Sequence, residues 1–207
     1  MSSHASFEPL PGPEGQTTPV LRHGDTVLRP AGPWTPTVHA LLIHLEKAGF
    51  TGSPRVIGDG YDGHGREVLT YIPGDFVHPH AWSDEGIGQV GRLLHDLHDA
   101  TADFQPLPDA VWHRWPFHSD APDAIISHRD TGPWNIVARD GLPVAFIDWP
   151  TAGADRPTRR GRRYSLAERA TPRRRCRRTP EPARCRRPRR PTAPFPGRLR
   201  TGHHRSP

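Results

Sequence analysis

A chain of 207 residues with 33% hydrophobic content and 26 prolines is short of the apolar material a fully globular protein needs, so part of it is expected not to fold. The net charge of +6 averages two unlike parts: residues 1–150 carry nine Lys or Arg against 19 Asp or Glu, and residues 151–207 carry 19 against three, giving −10 and +16. No stretch approaches the roughly 20 apolar residues of a membrane span, and the N-terminus has no apolar run flanked by basic residues, which makes a cytoplasmic location the default expectation.

Residues 1–19 mix Pro, Gly, Ser and Thr without periodicity and are expected to form a mobile leader. Val20 to His23 and Thr26 to Arg29 flank Gly24-Asp25 and read as a β-hairpin. Thr35-Pro36 reads as an N-cap followed by a first-turn proline. Val38, Leu41, Leu42 and Leu45 then repeat at helical spacing before Gly49. Pro54 to Ile57 and Glu67 to Ile72 are β-rich runs joined by a glycine-rich connection. That connection reads as a hairpin loop rather than a phosphate loop, because no helix follows it. Pro73-Gly74 ends the second run. Ser83, with Asp84 and Glu85 behind it, caps a second helix whose buried stripe is Ile87, Val90, Leu94 and Leu97. His95 and His98 on that helix are expected to pack and hydrogen-bond rather than bind metal, and His78 and His80 to be solvated.

Residues 103–123 carry Trp112, Trp115 and Phe117 among prolines, aromatic anchors for a connector. Then comes the densest stretch, Ile126 to Trp149. An apolar lead-in ends at His128-Arg129-Asp130, Asn135 follows five residues after Asp130, and Asp140-Gly141 offers a two-residue turn before Val144 to Ile147 returns. A two-residue turn sets Ala138 opposite Pro143, Ile136 opposite Ala145 and Asn135 opposite Phe146, with Asp148 just beyond. An amide oxygen and a carboxylate at one open end suit Mg²⁺, a hard ion completed by water and substrate phosphates. Asp130 would sit nearby as acceptor of a hydroxyl proton.

From Arg156 onward the chain is Arg- and Pro-rich with neither helical nor strand periodicity, and is expected to be disordered. It fits the out-of-frame product of a GC-rich gene. A tail of this kind binds nucleic acid by counterion release alone, without sequence specificity. Cys176 and Cys185, both in this tail, form neither a disulfide framework nor a zinc motif.

His-Arg-Asp, Asn135 five residues on, and Ile147-Asp148-Trp149 beyond a hairpin resemble the catalytic signature of the aminoglycoside phosphotransferase and choline kinase branch of the protein-kinase-like fold. The resemblance covers about residues 20–155. It implies an α+β, bilobal protein-kinase-like fold with a small antiparallel β lobe at 20–73, a catalytic lobe core at 74–155 whose later helices are missing, and the basic tail at 156–207. It implies Asp130 as catalytic base, Asn135 and Asp148 as Mg²⁺ ligands, and Arg29 where the family has a phosphate-binding Lys. Thr70, Tyr71 and Ile72 fall at the hinge that contacts the nucleotide base. The implied cofactors are ATP or GTP and Mg²⁺, and the implied reaction is γ-phosphoryl transfer to a hydroxyl of a small molecule. The acidic body favours a cationic one. Two departures stand out: Arg for Lys at position 29, and His39 on the first helix where the family offers a Glu to pair with that Lys. A catalytically dead, truncated remnant and a protein acting through its basic tail are the alternatives from other classes.

Overall fold

The computed structural model describes residues 6–11, 19–114, 119, 121 and 124–155. Trp115, Phe117, both cysteines and the basic tail lie outside them. The fold is α+β, with a five-stranded antiparallel sheet in the order β1-β2-β3-β5-β4. The strands are β1 (Glu8–Pro9), β2 (Leu21–His23), β3 (Thr26–Pro30), β4 (Val56–Tyr61) and β5 (Arg66–Thr70). β1 falls in the stretch expected to be mobile. It pairs Glu8 with Arg22 and Pro9 with Leu21, while the Phe7 ring stacks on His23 at 4.7 Å, and that apolar cover gives the short strand something to pack on.

The first helix, α1 (Thr35–Lys47), starts one residue earlier than the capping pattern implies: Trp34 is the N-cap and makes no side-chain cap. The Thr35 hydroxyl instead accepts from the Gly32 amide at 2.9 Å, because the Gly-Pro-Trp turn ahead of the helix brings that N–H back to it. At the other end Gly49 adopts φ +78°, and the amides of Phe50 and Gly49 donate to the carbonyls of Leu45 and Glu46, a closed C-terminal motif. Val38, Leu41, Leu42 and Leu45 are buried against Leu69 of β5 in a core that continues through Val90, Leu97, Phe146 and Trp149. The second helix, α2 (Asp84–Ala100), has Ser83 accepting from Gly86 N–H at 3.0 Å as its N-cap, as the sequence implies.

Sheet register decides which side chains share a face. Arg22 pairs with Val27, Val27 with Leu69 and Arg29 with Glu67, so Arg22, Arg29, Glu67 and Leu69 point to the α1 side. Leu28 and Val68 point the other way, where with Phe7, His23, Ile57 and Tyr61 they line a shallow cavity of about 520 Å³. That cavity is on the opposite face from Arg29.

The glycine-rich connection after β4 differs from a simple hairpin loop. β4 continues through Gly58, Asp59, Gly60 and Tyr61, and the register slips between Val56, opposite Leu69, and Tyr61, opposite Glu67. Gly58 and Gly60 take φ +61° and +90°, a conformation L side chains rarely adopt, so the glycines build a bulge. A Cβ on Gly60 would lie 2.4 Å from the His39 ring. Gly60→Ala is therefore expected to destabilise the fold by about 1–3 kcal/mol, read as a lower denaturant midpoint at unchanged slope.

The later elements are short: β6 (Ile125–Ser127), a 3-10 turn at Pro133–Asn135, β7 (Ile136–Arg139), β8 (Leu142–Phe146), a second 3-10 turn at Trp149–Thr151, and β9 (Gly153–Asp155). β6 pairs antiparallel with β9, Ser127 opposite Gly153 and Ile125 opposite Asp155, which ties together both ends of the segment between them. A single bridge, with Asp75 and Ala138 exchanging both backbone hydrogen bonds at 2.8 and 2.9 Å, fastens the chain after Pro73-Gly74 to β7. No helix among the described residues is long and apolar enough to cross a membrane.

Candidate functional site

The β7–β8 hairpin turns at Asp140 (φ +51°) and Gly141 (φ +75°), the two-residue turn the sequence implies. Its register differs from strict alternation. Ala138 faces Pro143 as expected, but Val137 faces Ala145 and Ile136 faces Phe146, so Val144 is an extra residue. Pro143 has no N–H to give to the ladder, and the bulge falls directly after it. The slip brings Ile147, not Phe146, to Asn135: the Ile147 amide donates to the Asn135 carbonyl at 2.9 Å. Asp148 is thereby the next residue beyond Asn135's partner, at the open end of the hairpin.

Asn135 is buried and its Nδ2 donates to the Asp130 carbonyl at 2.9 Å. One side-chain bond thus joins the turn bearing Asn135 to the loop bearing Asp130, made by the nitrogen end of the amide. Asp148 has φ +65°, ψ +64°, and Arg129, directly before Asp130, has φ +67°. Left-handed backbone at a non-glycine residue costs about 1–3 kcal/mol and persists only where surrounding contacts over-determine it.

His128 is the centre of a hydrogen-bonded frame. Its ring is fully buried, edge-on to Trp149 with centroids 4.6 Å apart and tilted against Phe146. Nε2–H donates to the Ile147 carbonyl at 2.8 Å and Nδ1 accepts, at 3.4 Å, from the Asp130 amide. The ring therefore pins the residue before Asp148 and the backbone of Asp130 to a common point. Burial pushes its pKa down to about 4, against weaker opposing effects of the Ile147 carbonyl and the Asp148 charge, so His128 is neutral and can hold one tautomer. Thr151 closes the frame by donating its hydroxyl to the His128 carbonyl at 3.2 Å.

Arg29 reaches this frame from β3. Its Nη2 donates to Asp148 Oδ1 at 2.7 Å, and its Nε lies 3.2 Å from Glu67 Oε2, an ion-pair contact without hydrogen-bond alignment. Glu67 is buried, and its other oxygen lies 3.0 Å from His39 Nε2. Four side chains from α1, β5, β3 and the Asp148 loop thus form an unbroken chain. The helix's own carboxylate, Glu46, lies near its C-terminal end beside Arg55 at 3.8 Å, and the one that meets Arg29 comes from β5, with His39 of the helix beside it. Glu67 and His39 carry no motif. Their signal is a Glu in phase with buried Leu69 on a β-strand and a His in phase with α1's buried stripe, both of which need partners.

The three residues at the proposed base-binding position are placed less openly. The Thr70 amide donates to the Arg55 carbonyl and its hydroxyl accepts from the Arg55 amide, while the Tyr71 amide donates to the Asp25 carbonyl at 2.7 Å. The Arg22 guanidinium lies 3.9 Å over the Tyr71 ring. Tyr71 and Ile72 line a cavity of about 440 Å³ with Ser53, Pro73, Arg139 and Ala145. His95 is exposed beside Asp99 at 3.2 Å, and His98 bonds Ser127 at 3.0 Å with its pKa lowered by burial; the two rings serve surface and core respectively. Among the described residues no cluster of three or more His, Cys, Asp or Glu is arranged to hold a metal. Asn135, which is buried, and Asp148, which is half exposed, offer oxygen donors only, a chemistry that suits a hard ion completed by water and phosphate rather than zinc.

Comparison with known proteins gives an incomplete likeness. The sequence matches no family model. Over 141 residues, 67% of the chain, it is 50% identical to the trifolitoxin immunity protein of Rhizobium leguminosarum bv. trifolii; these residues cover 54% of that protein, so the chain spans about half the length of this curated relative. Among solved structures, a choline/ethanolamine kinase family protein from Mesorhizobium loti aligns with a TM-score of 0.44 and 20% identity, over 72% of this chain and 59% of that one.

Proposed function

We propose that the chain is a metal-dependent phosphotransferase of two-lobed, kinase-like build, in which the sheet with α1 and the part after Pro73 enclose a nucleoside triphosphate, ATP or GTP. The observation that carries the reading is the frame around His128. In it the Ile147 amide, directly before Asp148, bonds the Asn135 carbonyl, and the Asn135 amide bonds the Asp130 carbonyl, which supports reading the three residues as one site. Mg²⁺ held by Asn135 and Asp148 would neutralise charge on the transferring phosphoryl group. Asp130 would orient an acceptor hydroxyl and take its proton, and Arg29 would meet the phosphates in a fixed fork where a Lys acts as a point charge. Tyr71 and Ile72 are the base-side candidates, Ile72 more than Thr70, whose amide and hydroxyl are both engaged by Arg55.

The acceptor is a small hydroxyl compound, cationic by the acidity of residues 1–150. The relative at 50% identity is named an immunity protein, and phosphorylation of a toxin's hydroxyl would be one chemistry by which such a protein could act. A cytoplasmic site of action, where nucleoside triphosphates are abundant, belongs to the same proposal. A thermal-shift titration of the full chain tests it. Mg²⁺ with ATP or GTP should raise the melting temperature by several degrees, as about 2.7 kcal/mol of linkage at a hundred times Kd requires, and chelating the Mg²⁺ should remove the rise. No shift with either nucleotide would refute the reading.

A further inference from the structure

Arg29 occupies an unusual electrostatic position. A single guanidinium is shared between Glu67, which is buried and backed by His39, and Asp148, which is half exposed and has its Oδ1 spent on Arg29 at 2.7 Å. A divalent cation on Asp148 and the guanidinium on the same carboxylate would be about 4–5 Å apart, where like charges repel strongly at the reduced dielectric of a protein surface. One of them must give way. The geometry provides somewhere to go, because Nε already lies beside Glu67 and the residue is on a strand that cannot move far.

We propose that Arg29 is a resident counter-ion for Asp148 that a divalent cation must displace, and that Glu67, held by His39, is the positioning carboxylate that receives it. This rests on the reading of Asp148 as a metal ligand. The displaced guanidinium stays anchored on Glu67, close to where nucleotide phosphates would complete the metal's coordination, so metal and nucleotide binding become coupled. Phosphate charge repays the loss of the Arg29–Asp148 pair. The metal alone binds weakly because nothing does. His39 therefore contributes through Glu67 rather than by touching metal or nucleotide, and the bulge at Gly60 is what lets its ring lie there.

The test uses Mn²⁺ alone, with no nucleotide, titrated into the full chain and followed by the electron paramagnetic signal of the free ion. Arg29→Met removes the competitor and should tighten Mn²⁺ about tenfold, whereas Glu67→Gln leaves Arg29 to Asp148 alone and should weaken it about tenfold. His39→Gln keeps a donor for Glu67 and should stay within about twofold of the parent, while His39→Leu should follow Glu67→Gln in weaker form. A merely structural role would lower stability in all four without this opposition of sign. For variants that fail to fold, the Arg29 Nε–H resonance of the unmodified protein serves instead, since Mg²⁺ should shift it. Mn²⁺ binding with one affinity across the variants, or an Arg29 signal indifferent to saturating Mg²⁺, overturns the displacement. Absence of Mn²⁺ binding in every protein, Arg29→Met included, overturns the displacement and the metal site together.

Discussion

Replacing Asp148 with Ala should abolish the cation dependence of nucleotide binding, weakening Mg²⁺-nucleotide affinity by about 100-fold or more. The size of the effect follows from how few protein donors the site has. With only Asn135 and Asp148 on the metal, loss of the carboxylate leaves one neutral oxygen, and Arg29 falls back wholly on Glu67. The substitution should cost the fold no more than about 1 kcal/mol, because the Asp148 side chain is half exposed and makes one ion pair, and Ala bears the left-handed backbone only somewhat less well than Asp. The neighbours on either side stay fixed, Ile147 by Asn135 and His128, and Trp149 by the Phe146 carbonyl. Isothermal titration with and without Mg²⁺ reads the outcome. Asp130→Asn is the contrast: it leaves the metal donors in place, so binding should stay within about threefold while phosphoryl transfer falls by about 10²–10⁴-fold. Equal losses of binding in both variants would mean that the two acids do not have separate roles.

His128 should show the largest effect on stability. His128→Leu keeps most of the volume but strands the Ile147 carbonyl and the Asp130 amide in a dry frame, at a cost of about 2–4 kcal/mol. The same residue sets an acid limit on the parent protein. Its folded pKa of about 4 lies below the ordinary imidazole value of 6.5, so between these pH values the unfolded chain takes up a proton that the folded chain refuses. Stability contributed by the neutral ring is fully present above about pH 6.5 and is lost as pH falls toward 4, by up to about 3 kcal/mol. Denaturation midpoints measured from pH 7.5 to 4 should therefore fall less steeply in His128→Leu than in the parent. Parallel curves would show that another group controls the acid limit.

What the sequence made legible follows from where its signals are local. The hairpin from Ile136 to Phe146 announces itself through Asp140-Gly141, and α2 through Ser83 and a periodic stripe, because turn and cap chemistry act within four residues. The slip at Val144 was not legible, since strict alternation and a bulge after a proline fit the same letters until the core side chooses. Asp130, Asn135 and Asp148 could be singled out because their spacing is a motif. His39 and Glu67 could not, being 28 residues apart and joined only by the fold. On α1 the sequence puts His39 in the early part and its Glu, Glu46, near the end, which suggests a broken ion pair. The structure gives Arg29 a carboxylate from β5 instead, a substitution in space that no single-element pattern records. His128 was visible as part of His-Arg-Asp, yet its work, bonding to Asp130 and Ile147 at once, depends on the hairpin folding back beside it.

The central claim is that Asn135 and Asp148 jointly hold a divalent cation. A crystal structure of the full chain with Mg²⁺ and a non-hydrolysable triphosphate tests it most directly. The expected result is one ion at about 2.0–2.1 Å from both Asn135 Oδ1 and an Asp148 oxygen, bridged to phosphate, with Arg29 withdrawn toward Glu67. An ion bound elsewhere, or a nucleotide bound with Arg29 still closed on Asp148 and no metal between, would contradict it.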